Sequence, residues 1–141
     1  MKILIMGLPT SGKTWFAERL QNEIGCAWYN ADAVRTMAND WDFSVEGRNR
    51  QALRMKTFAD FENNNDRIVA CDFVCPTPET RLLFKPDLII WINTIDKSKY
   101  QDTNKVFIKP NDSEGFKLIE ITKKVILEDI IELANKHITT S

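Results

Sequence analysis

A single three-layer α/β/α domain spanning residues 1–141, built on a five-stranded parallel sheet in the order 2-3-1-4-5, is the fold this sequence predicts. Short apolar runs alternate with helical stretches along the whole chain. Two of the runs, Ile68-Val-Ala-Cys71 and Leu88-Ile-Ile-Trp-Ile92, are apolar without a polar face, as strands covered on both sides require. The segment Gly7-Leu-Pro-Thr-Ser-Gly-Lys13-Thr14 joins the first run to a helix. That junction belongs at the point where the strand order reverses, with ligands at the carboxyl ends of the strands.

The elements follow in order. Lys2–Met6 is expected as a buried strand, and Lys13–Ile24 as a helix with Phe16, Leu20 and Ile24 on one face, stopped by Gly25. Cys26–Tyr29 is expected as a second strand, closing at Asn30-Ala-Asp32, and a short helix begins over Ala33–Met37. Ala38–Gly47 is polar and contains aromatic residues, as a loop would. Arg48–Asn63 is expected to be helical, with Leu53, Phe58 and Phe61 toward the core, before the Asn63–Asp66 turn. Arg67–Asp72, Asp87–Ile92 and Phe116–Ile121 complete the strands. Lys97–Asp112 is polar, and Pro110 discourages regular structure there. Val125, Leu127, Ile130, Ile131 and Ala134 mark a final helix over Lys124–Lys136.

Composition narrows the function. With 141 residues and 43% hydrophobic content, the chain can bury one substantial core. A net charge of −1 provides no general field for a polyanion, so only a local basic patch could serve nucleic acid. No run is long enough to span a membrane, and the first apolar run is too short for a signal peptide. Cys26, Cys71 and Cys75 are expected as reduced, buried thiols of a cytoplasmic protein. Cys71 and Cys75 have their only histidine, His137, far away, which argues against zinc.

The Gly7–Thr14 segment matches the G-x-x-x-x-G-K-[ST] phosphate-binding loop in its strand–loop–helix setting. Gly7 allows a tight exit from the strand, and Gly12 lets backbone approach a phosphate. The N–H groups of Pro9-Thr10-Ser11-Gly12 and beyond, proline excepted, then converge on anionic oxygens at the positive end of the helix dipole. Lys13 is expected to reach the β- and γ-phosphates of ATP, and the Thr14 hydroxyl to ligate Mg²⁺. Asp72 closes an apolar strand where an acid can organise Mg²⁺ and its waters. Asp32, closing another strand, is expected to orient an acceptor hydroxyl and take its proton, against the alternative of capping the next helix. Arg35, Arg48, Arg50, Arg54 and Arg81 flank the same crevice with forks suited to phosphate or sulfate, against pairing with Glu46, Asp60 or Glu62.

Gly7–Thr14, Tyr29-Asn-Ala-Asp-Ala-Val-Arg35, Asp40-Trp-Asp-Phe-Ser44 followed by Arg48, and Phe73-Val-Cys-Pro76 with Arg81 together resemble adenylylsulfate kinase. The resemblance implies a P-loop kinase fold and transfer of the γ-phosphate of MgATP to the 3′-hydroxyl of adenylyl sulfate. It implies that Asp32 holds the acceptor, Arg35 and Arg48 bind its sulfate or phosphate oxygens, and Phe43 stacks on its adenine. Val74 and Cys75 would supply backbone contacts. Gln51 replaces the family's asparagine, Asn30 its first Asp of Asp-Gly-Asp, and Thr77-Pro78 its Tyr-Arg. The family's lid, with its lysine and second stacking phenylalanine, is shortened to Asp96–Lys109, where Lys97, Lys99, Lys105 and Phe107 are the candidate replacements. Two other readings use the same phosphate loop: a related kinase for a nucleoside, nucleotide, sugar or polynucleotide 5′-hydroxyl, and a non-catalytic ATP-binding protein. No Asn-Lys-x-Asp stretch supports a GTPase. The expected partner is a small, nucleotide-like acceptor. The sequence leaves a homodimer open.

Overall fold

The computed structural model describes residues 1–122 together with Glu132 and Lys136. The final helix expected over Lys124–Lys136 therefore lies outside the described residues, those two excepted. The strands are β1 (Lys2–Met6), β2 (Ala27–Asn30), β3 (Val69–Asp72), β4 (Leu88–Ile92) and β5 (Lys117–Ile121). They form one sheet in the order β2-β3-β1-β4-β5, and every pairing is parallel. The helices are α1 (Lys13–Ile24), α2 (Ala31–Ala38), α3 (Val45–Asn64), α4 (Pro78–Phe84) and α5 (Gln101–Val106).

The alternation of side chains along β1 builds both faces of the core. Ile3 and Ile5 join Phe16, Ala17 and Leu20 of α1, with Ala70, Leu88 and Ile90, on one side. Leu4 and Met6 point the other way, onto Ala52, Met55 and Ala59 of α3, with Phe84 of α4. All five residues of β1 and of β4 are buried, which accounts for runs with no polar face.

Several elements depart from the expected ones. β2 ends at Asn30, so Asp32 stands in the first turn of α2 rather than at a strand end. Asn30 is the cap of that helix, its side chain accepting the Ala33 N–H at 2.9 Å. α3 begins at Val45, capped by Ser44, and buries Gln51, Ala52, Met55, Ala59 and Glu62. Leu53 and Phe61, expected inside, are 46% and 63% exposed, and only Phe58 of the three packs on the core. Small and polar residues hold the inner stripe because the helix lies close to the sheet, so the largest apolar side chains misplace its buried face.

Two helices have no counterpart among the expected elements. α4 starts with Pro78 at its first turn, and Thr77 and Thr80 reciprocally cap its N-terminus. α5 forms inside the polar Lys97–Asp112 stretch. There the Asn104 side chain accepts the Ser98 N–H at 2.9 Å and donates to the Ser98 carbonyl at 2.7 Å. Both helices are too short to show a helical repeat.

The packing leaves no room at Gly7. A Cβ there would meet the Ile92 carbonyl oxygen at 2.5 Å and the Ser11 Oγ at 2.8 Å. Gly7→Ala is expected to destabilise the fold by about 1–3 kcal/mol, read as a lowered urea midpoint with an unchanged slope.

Candidate active site

The phosphate loop runs from the end of β1 to the start of α1, held by its own backbone and by β4. Thr10 and Gly12 take positive φ values of 68° and 107°, which turn the chain back around a concavity. The Thr94 hydroxyl, just beyond β4, donates to the Ser11 carbonyl at 2.7 Å. Gly12 precedes α1 with no side chain capping the first turn, leaving that end of the helix without a capping acceptor. The Lys13 ammonium donates to the Leu8 carbonyl at 2.9 Å. Burial pulls its pKa down to about 8, against the raising pull of Asp72 and Asp32. A polyphosphate there would satisfy a cation that the protein has largely removed from water.

Asp72 ends β3 with 2% of its surface exposed. Its Oδ1 accepts from Asn30 Nδ2 at 2.8 Å, while among the described residues Oδ2 has no hydrogen-bond partner. Burial pushes this carboxyl up to about 6, opposed by Asn30, Thr14 and Lys13. Asn30 lies beside Asp72 in the parallel register and also reaches the Thr14 hydroxyl at 3.4 Å. A donor at this position relieves Asp72, whereas the family's aspartate there would add like charge. In the sequence Asn30 reads only as a departure from the family pattern; its place at a strand end, opposite Asp72, is the signal that marks it as part of the site.

A cavity of about 950 Å³ opens from this loop, at the large end of the range for small-molecule sites. Pro9, Thr10, Gly12, Lys13, Thr14 and Asp72 line its phosphate end, and Asp32, Arg35, Phe43, Arg48, Gln51, Val74 and Cys75 line the rest. Asp32 is exposed to this space. The residues expected to bind the acceptor are thus brought together. Gly7 and Ser11 instead shape the loop from behind, buried beneath it.

At the centre of the far end is Phe43, 52% exposed. The Arg35 guanidinium lies 4.5 Å from its ring centroid and that of Arg48 5.5 Å. Arg35 also donates to the Asp40 carbonyl at 2.8 Å, and Arg48 Nε to the Phe43 carbonyl at 2.9 Å. Burial lowers the pKa of both arginines, with Asp40 opposing it at Arg35 and Asp102 at Arg48; guanidinium remains charged regardless. Gln51 donates to the Ala31 carbonyl at 3.1 Å and accepts from Arg54 at 2.6 Å, so its amide braces the wall.

The other arginines do different work. Arg50 and Arg54 pair with Asp40 at 2.7 and 2.8 Å, and Arg50 also with Asp42, none of the partners expected. These contacts hold the Asp40 carboxyl well below the usual range. Arg81 is fully buried and pairs with Glu114 at 2.7 Å, so it presents no fork to the cavity. Among the candidate lid residues, only Lys99 lines the cavity; Phe107 packs on the core, and Lys97 and Lys105 lie outside. Tyr100, Gln101, Asp102 and Thr103, from the unexpected α5 and its approach, supply the rest of that rim. Trp41, 49% exposed, adds an aromatic wall. All three cysteines are free and buried, and no helix among the described residues is long and apolar enough to cross a membrane.

A family model described as adenylylsulphate kinase matches residues 1–92, the stretch carrying the phosphate loop, Asp32, Phe43 and Asp72. The chain belongs to the adenylylsulphate kinase family. No curated protein gives a significant match. Among solved structures, the Mycobacterium tuberculosis APS kinase CysC in complex with AMPPNP and APS is similar, with TM-score 0.77 and 14% identity over 98% of this chain and 96% of that one. An unliganded sugar kinase from Janibacter sp. has TM-score 0.75 at 15% identity, covering 98% and 94%. Shikimate kinase from Aquifex aeolicus has TM-score 0.66 at 12%, covering 99% and 96%. These likenesses show the P-loop kinase fold, and the protein is a kinase of that architecture.

In this adenylylsulphate kinase family member, the buried Asp72 opposes folding. Its folded pKa of about 6 exceeds the ordinary 3.8, so the native state binds the extra proton between those values. The contribution of this one carboxyl is therefore most favourable below its unfolded pKa and is lost as pH rises through about 6. Asp72→Asn is expected to stabilise the ligand-free protein at pH 7 by up to about 3 kcal/mol and to flatten its stability between pH 4 and 6. Chemical denaturation across that pH range checks both.

Proposed function

We propose that the protein transfers the γ-phosphoryl group of MgATP to the 3′-hydroxyl of adenylyl sulfate. The observation that carries this reading is the Phe43 ring with Arg35 and Arg48 beside it, facing the phosphate loop across one cavity. An aromatic face flanked by guanidinium groups suits a planar base attached to an anionic group.

Each residue then has a task. The phosphate loop holds the triphosphate through backbone N–H groups, and Lys13 places a cation against the β- and γ-phosphates. The Thr14 hydroxyl and the unpartnered, buried Oδ2 of Asp72 are the residues fitted to hold Mg²⁺ or its waters. Held there, Mg²⁺ would supply positive charge against the phosphate oxygens of the nucleotide. Asp32 is not spent on capping, because Asn30 performs that role. Its exposed carboxylate can hold the acceptor hydroxyl and receive its proton as the acceptor oxygen bonds to phosphorus. The bond from phosphorus to the β-phosphate oxygen breaks, and ADP leaves with that electron pair.

The kinase reading for a nucleoside, nucleotide, sugar or polynucleotide 5′-hydroxyl shares Lys13, Thr14, Asp32 and Asp72. The Arg35–Phe43–Arg48 grouping favours adenylyl sulfate over an uncharged sugar. The presence of both Asp32 and Asp72 in the cavity favours turnover over ATP binding alone.

The direct test is ATP consumption with adenylyl sulfate and a panel of sugars, nucleosides and 5′-hydroxyl oligonucleotides, with each product identified by mass. Phosphorylated adenylyl sulfate as the preferred product is expected; turnover confined to another acceptor would refute the assignment. Lys13→Ala is expected to abolish turnover without unfolding the protein, since the ammonium makes one hydrogen bond, to the Leu8 carbonyl, and its attraction to Asp72 and Asp32 is outweighed by the cost of its desolvation. Asp32→Asn should lower kcat by about 10²–10⁴ while nucleotide affinity stays within twofold, the range of a lost general base. Phe43→Ala should raise the KM for adenylyl sulfate about tenfold, as a lost stacking contact does, with little change in Tm because the ring is half exposed. Steady-state kinetics beside thermal melts separate these outcomes.

A further inference from the structure

Arg81 is a guanidinium with none of its surface exposed, in the last turn of α4. Its Nε and Nη2 donate to the two carboxylate oxygens of Glu114 at 2.9 and 2.7 Å. Nη1 donates to the Cys75 carbonyl at 2.9 Å, and Nη2 also to the Ile108 carbonyl at 2.9 Å. Beside this fork the Ile108 N–H donates to the Pro76 carbonyl at 2.7 Å. One side chain therefore ties together the wall Val74–Pro76 and the segment that follows α5. The wall borders the cavity through Val74, Cys75 and Pro76, and the clamped segment lies outside the lining but continues directly from α5, whose start and approach, Lys99–Thr103, form the cavity rim. Cys75 holds φ +47°, a left-handed conformation that a non-glycine residue keeps only when its surroundings impose it. By contrast, the phosphate loop is anchored elsewhere, through Gly7 on β4 and Thr94 on Ser11.

We propose that Arg81 is a positioning residue for the acceptor half of the cavity: its fork fixes the Cys75 backbone and locks the α5 rim to that wall, leaving the nucleotide half unaffected. The assignment of Val74–Pro76 to the acceptor rests on the functional reading above. The clamp itself does not. A planar fork is required, because a lysine ammonium in the same place cannot reach a bidentate carboxylate and two diverging carbonyls together. The thiol of Cys75 is fully enclosed by the clamped wall, and burial pushes it up to about 12.

The decisive variant is the charge-free pair Arg81→Met with Glu114→Leu. Replacing a buried ion pair by apolar side chains of similar volume generally preserves the fold, yet here it removes both carbonyl anchors. Two readouts are used: alkylation of each cysteine, followed by mass spectrometry, and kinetics with adenylyl sulfate. The expected result is a folded protein whose Tm falls because two carbonyls lose their donor, Cys75 labelling faster by about tenfold or more, and unchanged labelling of Cys26 and Cys71, which report global opening. KM for adenylyl sulfate should rise about tenfold or more while the Kd for ATP stays within twofold. Glu114→Gln, which keeps every residue of the fork's carbonyl contacts, should move both readouts in the same direction by less, and decides the matter if the double variant does not fold. A folded variant with Cys75 as protected as in the parent overturns the clamp. Freed Cys75 with an unchanged acceptor KM overturns its role in positioning. If the parent protein does not turn over adenylyl sulfate, the functional reading fails, and Cys75 labelling still judges the clamp.

Discussion

The contact between Gly7 and the carbonyl of Ile92 is the constraint on which the site depends. A side chain at Gly7 would collide with that oxygen, so only glycine lets β1 leave the sheet close against β4. The loop that follows is pinned by Thr94 on one side and by the start of α1 on the other. From there the positions of Lys13 and Thr14 follow, and so does the neighbourhood of Asp72 on β3, the strand paired with β1 on its other edge. The switch point of the sheet is a consequence of this seating: β3 and β4 flank β1, and their chain continues in opposite directions across the site.

The site is electrostatically prepared for a ligand that supplies both signs. Burial makes Lys13 easier to deprotonate and Asp72 harder, each an indication that its charged form is short of partners. Nucleotide phosphate and a divalent cation would complete both at once. The far end of the cavity is prepared differently. There, the charged groups Arg50, Arg54, Asp40 and Asp42 neutralise one another and hold the loop that carries Phe43. Gly47 permits the same loop to fold back, since a Cβ there would overlap the Asp42 backbone. Arg35 and Arg48 remain against the aromatic ring.

Much of this was legible in the sequence for physical reasons. Uninterrupted apolar runs announce strands buried on both faces, and the phosphate loop has a spacing that few other uses require. The cluster of Asp32, Arg35, Phe43, Arg48, Val74 and Cys75 around one cavity was readable through the family resemblance. What escaped was decided by contacts distant in sequence. Arg81 reads as one more anion-binding fork beside the crevice until Glu114 and two carbonyls are found around it. The inner face of α3 is lined by Ala52, Ala59 and Gln51 because of its closeness to the sheet, so hydrophobic size pointed to Leu53 and Phe61. The helices α4 and α5 are set by local capping and by Ser98–Asn104 bonds rather than by a repeating apolar pattern.

The central claim is that Lys13 and Asp72, held short of partners, form the seat of a magnesium nucleotide. Proton exchange on binding measures this directly. Calorimetric titration with MgAMPPNP at pH 6, in buffers of different ionisation enthalpy, is the experiment. A carboxyl with a pKa of about 6 that becomes fully ionised on binding releases about half a proton at that pH. The account predicts that release in the parent protein, beyond whatever the ligand itself contributes, and its loss in Asp72→Asn. Equal proton release by the two proteins, with equal affinity for the magnesium nucleotide, would contradict it.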